Sequence, residues 1–312
     1  MLIAVVVFSN ATAQTYPAKP VRMIVPWAPG GTTDILGRVI AQKMSEKWGQ
    51  PVVVENRGGA AGNIGTEVAA RSAADGYTLL IGTMSSHAMN QFLYEKMSFD
   101  PVADLAPISL VANVATVLVV HPSLPVNSVN DLVALARAKP GQLNFASGGI
   151  ASFNQLCAEL LKMSAKIDIV HVPYKGGGPA VTDLVGGKVD LLFTGAPVTM
   201  PHIKAGRLKV LAVTDSQRSV ALPDTPTMGE SLTGYEFNNW YGIMAPAGTP
   251  RPIISLLNAE VHRILALTDV RERFSGLGAD PTPSTPEKFA AVMKADADKW
   301  GGIIKQVGVR AE

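Results

Sequence analysis

The chain has 312 residues, 47% of them hydrophobic, and a net charge of +2 from 27 basic and 25 acidic side chains. That length supports two α/β lobes or one large one, with a core that needs neither disulfides nor metals. The charges are spread without runs of one sign, which excludes a nucleic-acid footprint and a polybasic membrane anchor.

Residues 2–8 form a short apolar run, followed by Ala11-Thr12-Ala13. The run is too short to span a bilayer, and the small-x-small pattern predicts a signal peptide over residues 1–13, with a mature chain beginning at Gln14. No later stretch is long and apolar enough for a membrane helix, so no membrane insertion of the mature chain is expected. The single cysteine, Cys157, rules out an intramolecular disulfide and a Cys-rich metal site.

The apolar β-branched run 21–25, bounded by Pro20 and Pro26, predicts a buried strand. The loop Pro29-Gly30-Gly31-Thr32-Thr33-Asp34 leads to a helix over 35–48 that stops at Gly49. Strand 51–55, a Gly-rich turn, helix 64–72 and strand 77–82 repeat the step. After an apolar run at 115–121 the grammar restarts: helix 131–138, strand 143–146, turn 147–152, helix 153–163, strand 169–172, loop 173–179, helix 180–186, then strands 189–193 and 209–213. Strand 239–244 and helices 252–266, 270–274 and 285–307 complete the chain. Strand, loop and helix in repetition predict mostly parallel sheets with helices on both faces. Two cycles predict two lobes, residues 14–118 plus 239–312 and residues 119–238, with crossovers near 115–121 and 239–244.

The strand-to-helix loops are rich in Gly, Ser and Thr, at residues 29–34, 58–65, 82–86, 147–152 and 174–178. In open α/β sheets ligands bind at such loops, where flexible backbone and helix N-termini present N–H groups to an anion. The Ser and Thr hydroxyls of these loops, Ser85 and Ser86 among them, would add further donors. His87 lies just past a strand-end loop and is a further candidate. Trp27 and Phe153 flank the loops and would shape an apolar part of a pocket or pack in the core. The enzyme signatures are missing: no G-x-S-x-G elbow, no P-loop, wrong glycine spacing at 59–65 for a dinucleotide, and five scattered histidines without metal-site spacing. No metal or other cofactor is expected.

The stretches Val25-Pro26-Trp27-Ala28-Pro29-Gly30-Gly31-Thr32-Thr33-Asp34, Val52-Val53-Val54-Glu55-Asn56-Arg57-Gly58, Asp75-Gly76-Tyr77-Thr78-Leu79-Leu80, Val172-Pro173-Tyr174-Lys175-Gly176 and Ala245-Pro246-Ala247-Gly248-Thr249-Pro250 occur in an order and spacing that resembles the Bug-type periplasmic binding receptors of tripartite tricarboxylate transporters. The resemblance runs from about Tyr16 to the C-terminus. It implies a two-lobed Venus-flytrap fold without catalysis, a small organic carboxylate as ligand, a Gram-negative periplasmic location, membrane transporter subunits as partners and a monomeric state. It also implies that the carboxylate is held at Gly31, Thr32 and Thr33 and at Ser147, Ile150, Ala151 and Ser152, and it places Tyr174, Lys175, Gly176 and Asp190 in the cleft. Residues 147–156 depart from the family pattern, with Ala151 in place of a Gly, Phe153 of a small polar residue and Gln155 of a His. That change predicts a ligand with an apolar or aromatic body. A sensing subunit for a signalling receptor and a periplasmic enzyme are the alternative readings.

Overall fold

The computed structural model describes residues 16–307, 310 and 311; the predicted signal peptide, residues 1–13, lies outside the described residues. Strand β1 (Val21–Val25) starts just after Pro20 and gives way through residues 26–31 to helix α1 (Thr32–Trp48). Gly49 ends that helix at φ 63°, a left-handed value that glycine adopts at no steric cost. The step recurs in β2 (Val52–Asn56), α2 (Asn63–Ala70) and β3 (Thr78–Thr83). A five-residue π turn (Ser85–Met89), the short helix α3 (Asn90–Leu93) and the long strand β4 (Leu105–Val114) follow.

One residue beyond β4 the chain enters a second sheet as β5 (Thr116–Val120). There it builds α4 (Val129–Ala138), β6 (Asn144–Ser147), α5 (Phe153–Ala165), β7 (Val170–Pro173), α6 (Gly177–Val185), β8 (Leu191–Gly195), α7 (Ala196–Lys204) and β9 (Lys209–Val213). After the one-turn helix α8 (Met228–Ser231), β10 (Trp240–Pro246) carries the chain back to the first sheet. Helices α9 (Arg251–Ala266) and α10 (Thr268–Gly276), strand β11 (Ala279–Pro281) and helix α11 (Pro286–Val307) complete that lobe.

The strand orders are β11-β4-β10-β3-β1-β2 and β7-β6-β8-β5-β9. β1 pairs in parallel with β2 and β3, whereas β10 lies antiparallel between β3 and β4. β5 is likewise antiparallel to both β8 and β9. The sheets are therefore mixed rather than mostly parallel, because each crossover strand enters its sheet against the direction of the βαβ units. β5 pairs only within the second sheet, so a lobe boundary between residues 118 and 119 would cut a strand. The sequence pattern does not announce β4, since Pro107 interrupts its apolar run, and Pro197 and Pro201 conceal α7.

One apolar cluster fills the space between the first sheet and α1, α9 and α10, around Leu36, Ile40, Leu257 and Phe274. A second runs from the other face of that sheet, under α11, into the second lobe at Phe145 and Leu161. Phe237 joins the two lobes there, its ring 4.6 Å from Trp300 of α11 and 6.0 Å from Phe153 at the start of α5.

Helix α2 packs tightly against the end of β1. A Cβ on Gly65 would stand 2.6 Å from both Pro26 Cα and Arg57 O. Backbone on both sides leaves nothing to yield, so Gly65→Ala should cost about 1–3 kcal/mol of stability. Denaturant melts of the two proteins check this, and superimposable transitions would refute the packing argument.

Candidate ligand cleft

The loop between β1 and α1 is held from outside the cleft. Asp34, in the first turn of α1, accepts hydrogen bonds from Gly30 N–H and Arg38 Nε at 2.9 Å each, and from Asn56 Nδ2 at 2.9 Å. Asn56 also donates to Trp27 O at 3.1 Å. Burial alone would raise the Asp34 carboxyl, but the bonds from Arg38, Gly30 and Asn56 overcome it and hold it below the usual carboxylate range. Asp34 is thus a clamp on the loop, with its charge already balanced by Arg38.

Three helices begin at the cleft. α1 starts after Gly31, α5 after Ser152 and α6 after Gly176, and none has a side-chain cap; the first N–H of nearby α7 is already taken by Ala115 O at 2.8 Å. Elsewhere both kinds of end occur: Ser128 accepts the Asp131 N–H of α4 and Thr227 forms a capping box with Glu230, while α2, α3, α9 and α10 also lack a side-chain cap. The leading N–H groups of a helix have no partner within it and carry its positive dipole end. At the cleft these groups are left to whatever occupies it.

The first turns of these helices enclose an inner cavity of about 30 Å³ lined by Trp27, Gly31, Thr32, Thr33, Thr83, Phe153, Asn154, Gly177, Thr194 and Tyr241. No side chain in that lining is charged. A water needs about 10–15 Å³ on this measure, so the space suits a pair of waters or one carboxylate group. Trp27 also borders an outer vestibule of about 550 Å³ lined by Gly58, Gly59, Ala60, Ala61, Ile64, Tyr94, Gly148, Gly149, Ile150, Pro173, Tyr174, Lys175 and Ala311. Ile64 and Ile150 reach it from opposite lobes with about half their surface exposed, at 51% and 46%. Lys175 is the only charged side chain in this lining.

The lobes touch through glycine. A Cβ on Gly178 would lie 2.6 Å from Pro29 O, one on Gly176 would lie 3.2 Å from Ala28 N, and one on Gly195 would collide with Thr32 Oγ1.

Of the residues singled out in the sequence, Trp27, Gly31, Thr32, Thr33 and Phe153 line the inner cavity, and Ile150, Tyr174 and Lys175 line the vestibule. Tyr174 offers its ring there, because its hydroxyl donates to Asp183 Oδ2 at 2.9 Å; burial and Asp183 push that phenol up to about 12. Gly176 forms part of the seam between the lobes. The remaining candidates stand behind the surface. Ser147 and Ser152 both donate to Gly149 O, at 3.0 and 2.7 Å, which folds the loop on itself. Ala151 is buried, at φ 62°, with its N–H on Gln155 Oε1. Ser85, Ser86 and His87 lie buried in the π turn, outside both linings. Asp190 is at the opposite end of the sheet, ahead of β8, where its carboxylate accepts Asn144 N–H at 2.8 Å. Sequence reasoning missed Thr83, Asn154, Gly177, Thr194 and Tyr241. The readable signal was position, since Thr83 ends a strand, Thr194 is the last residue but one of another, and Gly177 begins a helix. Tyr241 could not be placed without knowing that β10 lies beside β3, where it pairs with Thr83.

Ser147 Oγ and His171 Nε2 are 2.6 Å apart, yet neither residue borders the cavities. Burial pulls His87 down to about 4, and burial with Lys162 nearby pulls His171 down to about 4. Both rings are neutral near pH 7. Below pH 6.5 the unfolded chain protonates these rings and the folded chain does not, so each takes stability away as the pH drops from 6.5 to about 4; Asp215, whose carboxyl burial pushes up to about 7, acts in the opposite direction. Urea unfolding of the protein and of His87→Gln at about pH 7.5 and about pH 4.5 separates the His87 part: the variant should lose less stability at the lower pH, and the same pH dependence in both would contradict neutral burial.

Comparison with known proteins bears on the fold and the cleft together. Residues 36–309 match the sequence profile of the "Tripartite tricarboxylate transporter family receptor". Protein BugT of Bordetella pertussis is 41% identical over 303 residues, covering 96% of this chain and 92% of BugT. The structure of R. palustris Rpa4515 with adipate superposes with a TM-score of 0.92 at 37% identity, covering 95% of this chain and 99% of that one. MatC (Rpa3494) from Rhodopseudomonas palustris with bound malate gives 0.88 at 32% identity, with coverages of 93% and 100%. With a two-lobed α/β fold and a matched profile across most of its length, this chain belongs to the receptor family of the tripartite tricarboxylate transporters, a family of solute-binding proteins and not of enzymes.

Proposed function

We propose that this protein captures a small organic carboxylate between its lobes, in the periplasm of a Gram-negative bacterium, and presents it to membrane transporter subunits. The observation that carries the reading is the convergence of three uncapped helix N-termini, from both lobes, on one uncharged cavity the size of a carboxylate group. An anion there gains from both lobes at once, so it favours their approach by its differential affinity for the closed arrangement. The adipate-bound and malate-bound relatives support the chemical class. The protein acts as a monomer, without cofactor or turnover. The paired Ser147 and His171 lie outside the cavities, which agrees with binding alone.

The vestibule extends the reading to the rest of the ligand. Trp27, Ala61, Ile64 and Ile150 give it apolar walls, and Phe153 adds one to the inner cavity. A carboxylate head in the cavity and an apolar or aromatic body past Trp27 fit this arrangement. A short polar acid would leave the vestibule walls in water, forfeiting about 25 cal/mol for each Å² left uncovered.

Thermal-shift measurements on the chain from Gln14 onward, against malate, adipate, benzoate and phenylacetate, test both parts. A bound acid at a hundredfold excess over its dissociation constant adds about 2.7 kcal/mol of apparent stability. Shifts with the acids of larger apolar body are expected. A response to malate alone would sink the vestibule assignment, and no response to any of the four would count against carboxylate capture. Gly178→Ala tests closure separately. Its methyl group meets Pro29 O only when the lobes approach, so affinity should drop about tenfold, the equivalent of 1.4 kcal/mol of strain. The ligand-free melting temperature should stay unchanged, and an unaltered affinity would exclude the glycine seam from binding.

A further inference from the structure

The Thr83 side chain closes the floor of the inner cavity from the last position of β3, and a line of buried groups stands behind it. His87 lies flat against that strand; a Cβ on Gly82 would come within 2.6 Å of its Cε1, so the glycine makes room for the ring. The imidazole is fully buried and neutral, and one of its two nitrogens carries a hydrogen. Nδ1 is 2.8 Å from Ser86 Oγ and 3.3 Å from Thr83 O. Nε2 is buried with no partner among the described residues. A carbonyl can only accept, so a hydrogen on Nδ1 serves both neighbours, while a hydrogen on Nε2 would be a buried donor facing nothing.

Ser86 Oγ also accepts Thr83 N–H at 3.2 Å. With that bond and the imidazole N–H, its acceptor capacity is filled. Its own proton then points back at Thr83, to the carbonyl at 3.1 Å or to Oγ1 at 3.2 Å. The Thr83 proton is thereby turned away from Ser86, toward Ser85 Oγ at 3.1 Å or toward the cavity. An oxyanion in the cavity accepts it more strongly than a neutral serine does.

We propose that His87 is a positioning residue that acts through Ser86 to present the Thr83 hydroxyl to the inner cavity as a hydrogen-bond donor. This rests on the carboxylate reading and adds to the helix amides one side-chain donor whose direction is set from behind.

Imidazole ¹⁵N NMR of the ligand-free protein, with the His87 signals assigned by their loss in His87→Gln, should show a neutral ring protonated at Nδ1. A ring protonated at Nε2 overturns the proposal whether or not any acid binds. Calorimetric titration of adipate and phenylacetate then tests the coupling. Thr83→Val, Ser86→Ala and His87→Leu should each weaken the acid that binds by about tenfold, the scale of one lost hydrogen bond. In the Thr83→Val background the other two changes should add nothing further. Losses that multiply in the double variants, or unchanged affinity in the single ones, overturn the relay. Ser86→Ala removes one oxygen and carries the cycle alone if His87→Leu does not fold. Failure of both acids to bind the unaltered protein counts against the carboxylate reading, and the tautomer still decides the relay.

Discussion

Each helix N-terminus leaves several N–H groups without partners in the helix, and turning such ends toward one another inside a small cavity is unfavourable until something negative enters. α1, α5 and α6 do this at the cleft, where their first turns line one cavity. The rest of the site follows from that arrangement. Asp34 is the acid best placed to satisfy the amides of α1. It is turned outward instead, onto Gly30, Arg38 and Asn56. Ser152 sits where a cap would be, but its hydroxyl is engaged by Gly149 O.

A cavity shared by two lobes is only as good as their approach. Side chains would hold the lobes apart, and the positions that meet are Gly176 and Gly178 on one side and Ala28 to Gly31 on the other. Main chain packs directly on main chain, so the amides of both lobes come within reach of one small group. The hinge side of the molecule supplies the continuity that this requires. β4 runs into β5 and β10 returns antiparallel between β3 and β4. The aromatic contacts of Phe237 with Phe153 and Trp300 tie the start of α5 to the C-terminal helix.

Local chemistry was legible in the sequence, and placement was not. The runs between prolines and glycines announced most strands, and the Gly-Thr-Thr and Gly-Gly-Ile loops announced both walls of the cleft. Hydroxyl-bearing residues in those loops read alike, however. Thr32 and Thr33 face the cavity, whereas Ser147 and Ser152 are spent on holding a carbonyl. Nothing in composition separates the two roles, because the difference lies in loop geometry. Tyr241 and Thr83 meet only through the pairing of distant strands, and Asp190 falls at the far end of the sheet because β8 runs away from it. The crossovers also explain why half-antiparallel sheets read as mostly parallel in the sequence.

The uncharged lining of the inner cavity separates two kinds of inheritance. In the proposed mode of binding, the amides facing the acid group belong to the main chain and are common to every residue except proline, so codon changes at those positions seldom remove them. The walls of the vestibule are side chains such as Ile64, Ile150 and Tyr94, each replaceable by a single base change. Under that mode, descendants of this gene could exchange the body of their guest while keeping the grip on its acid group.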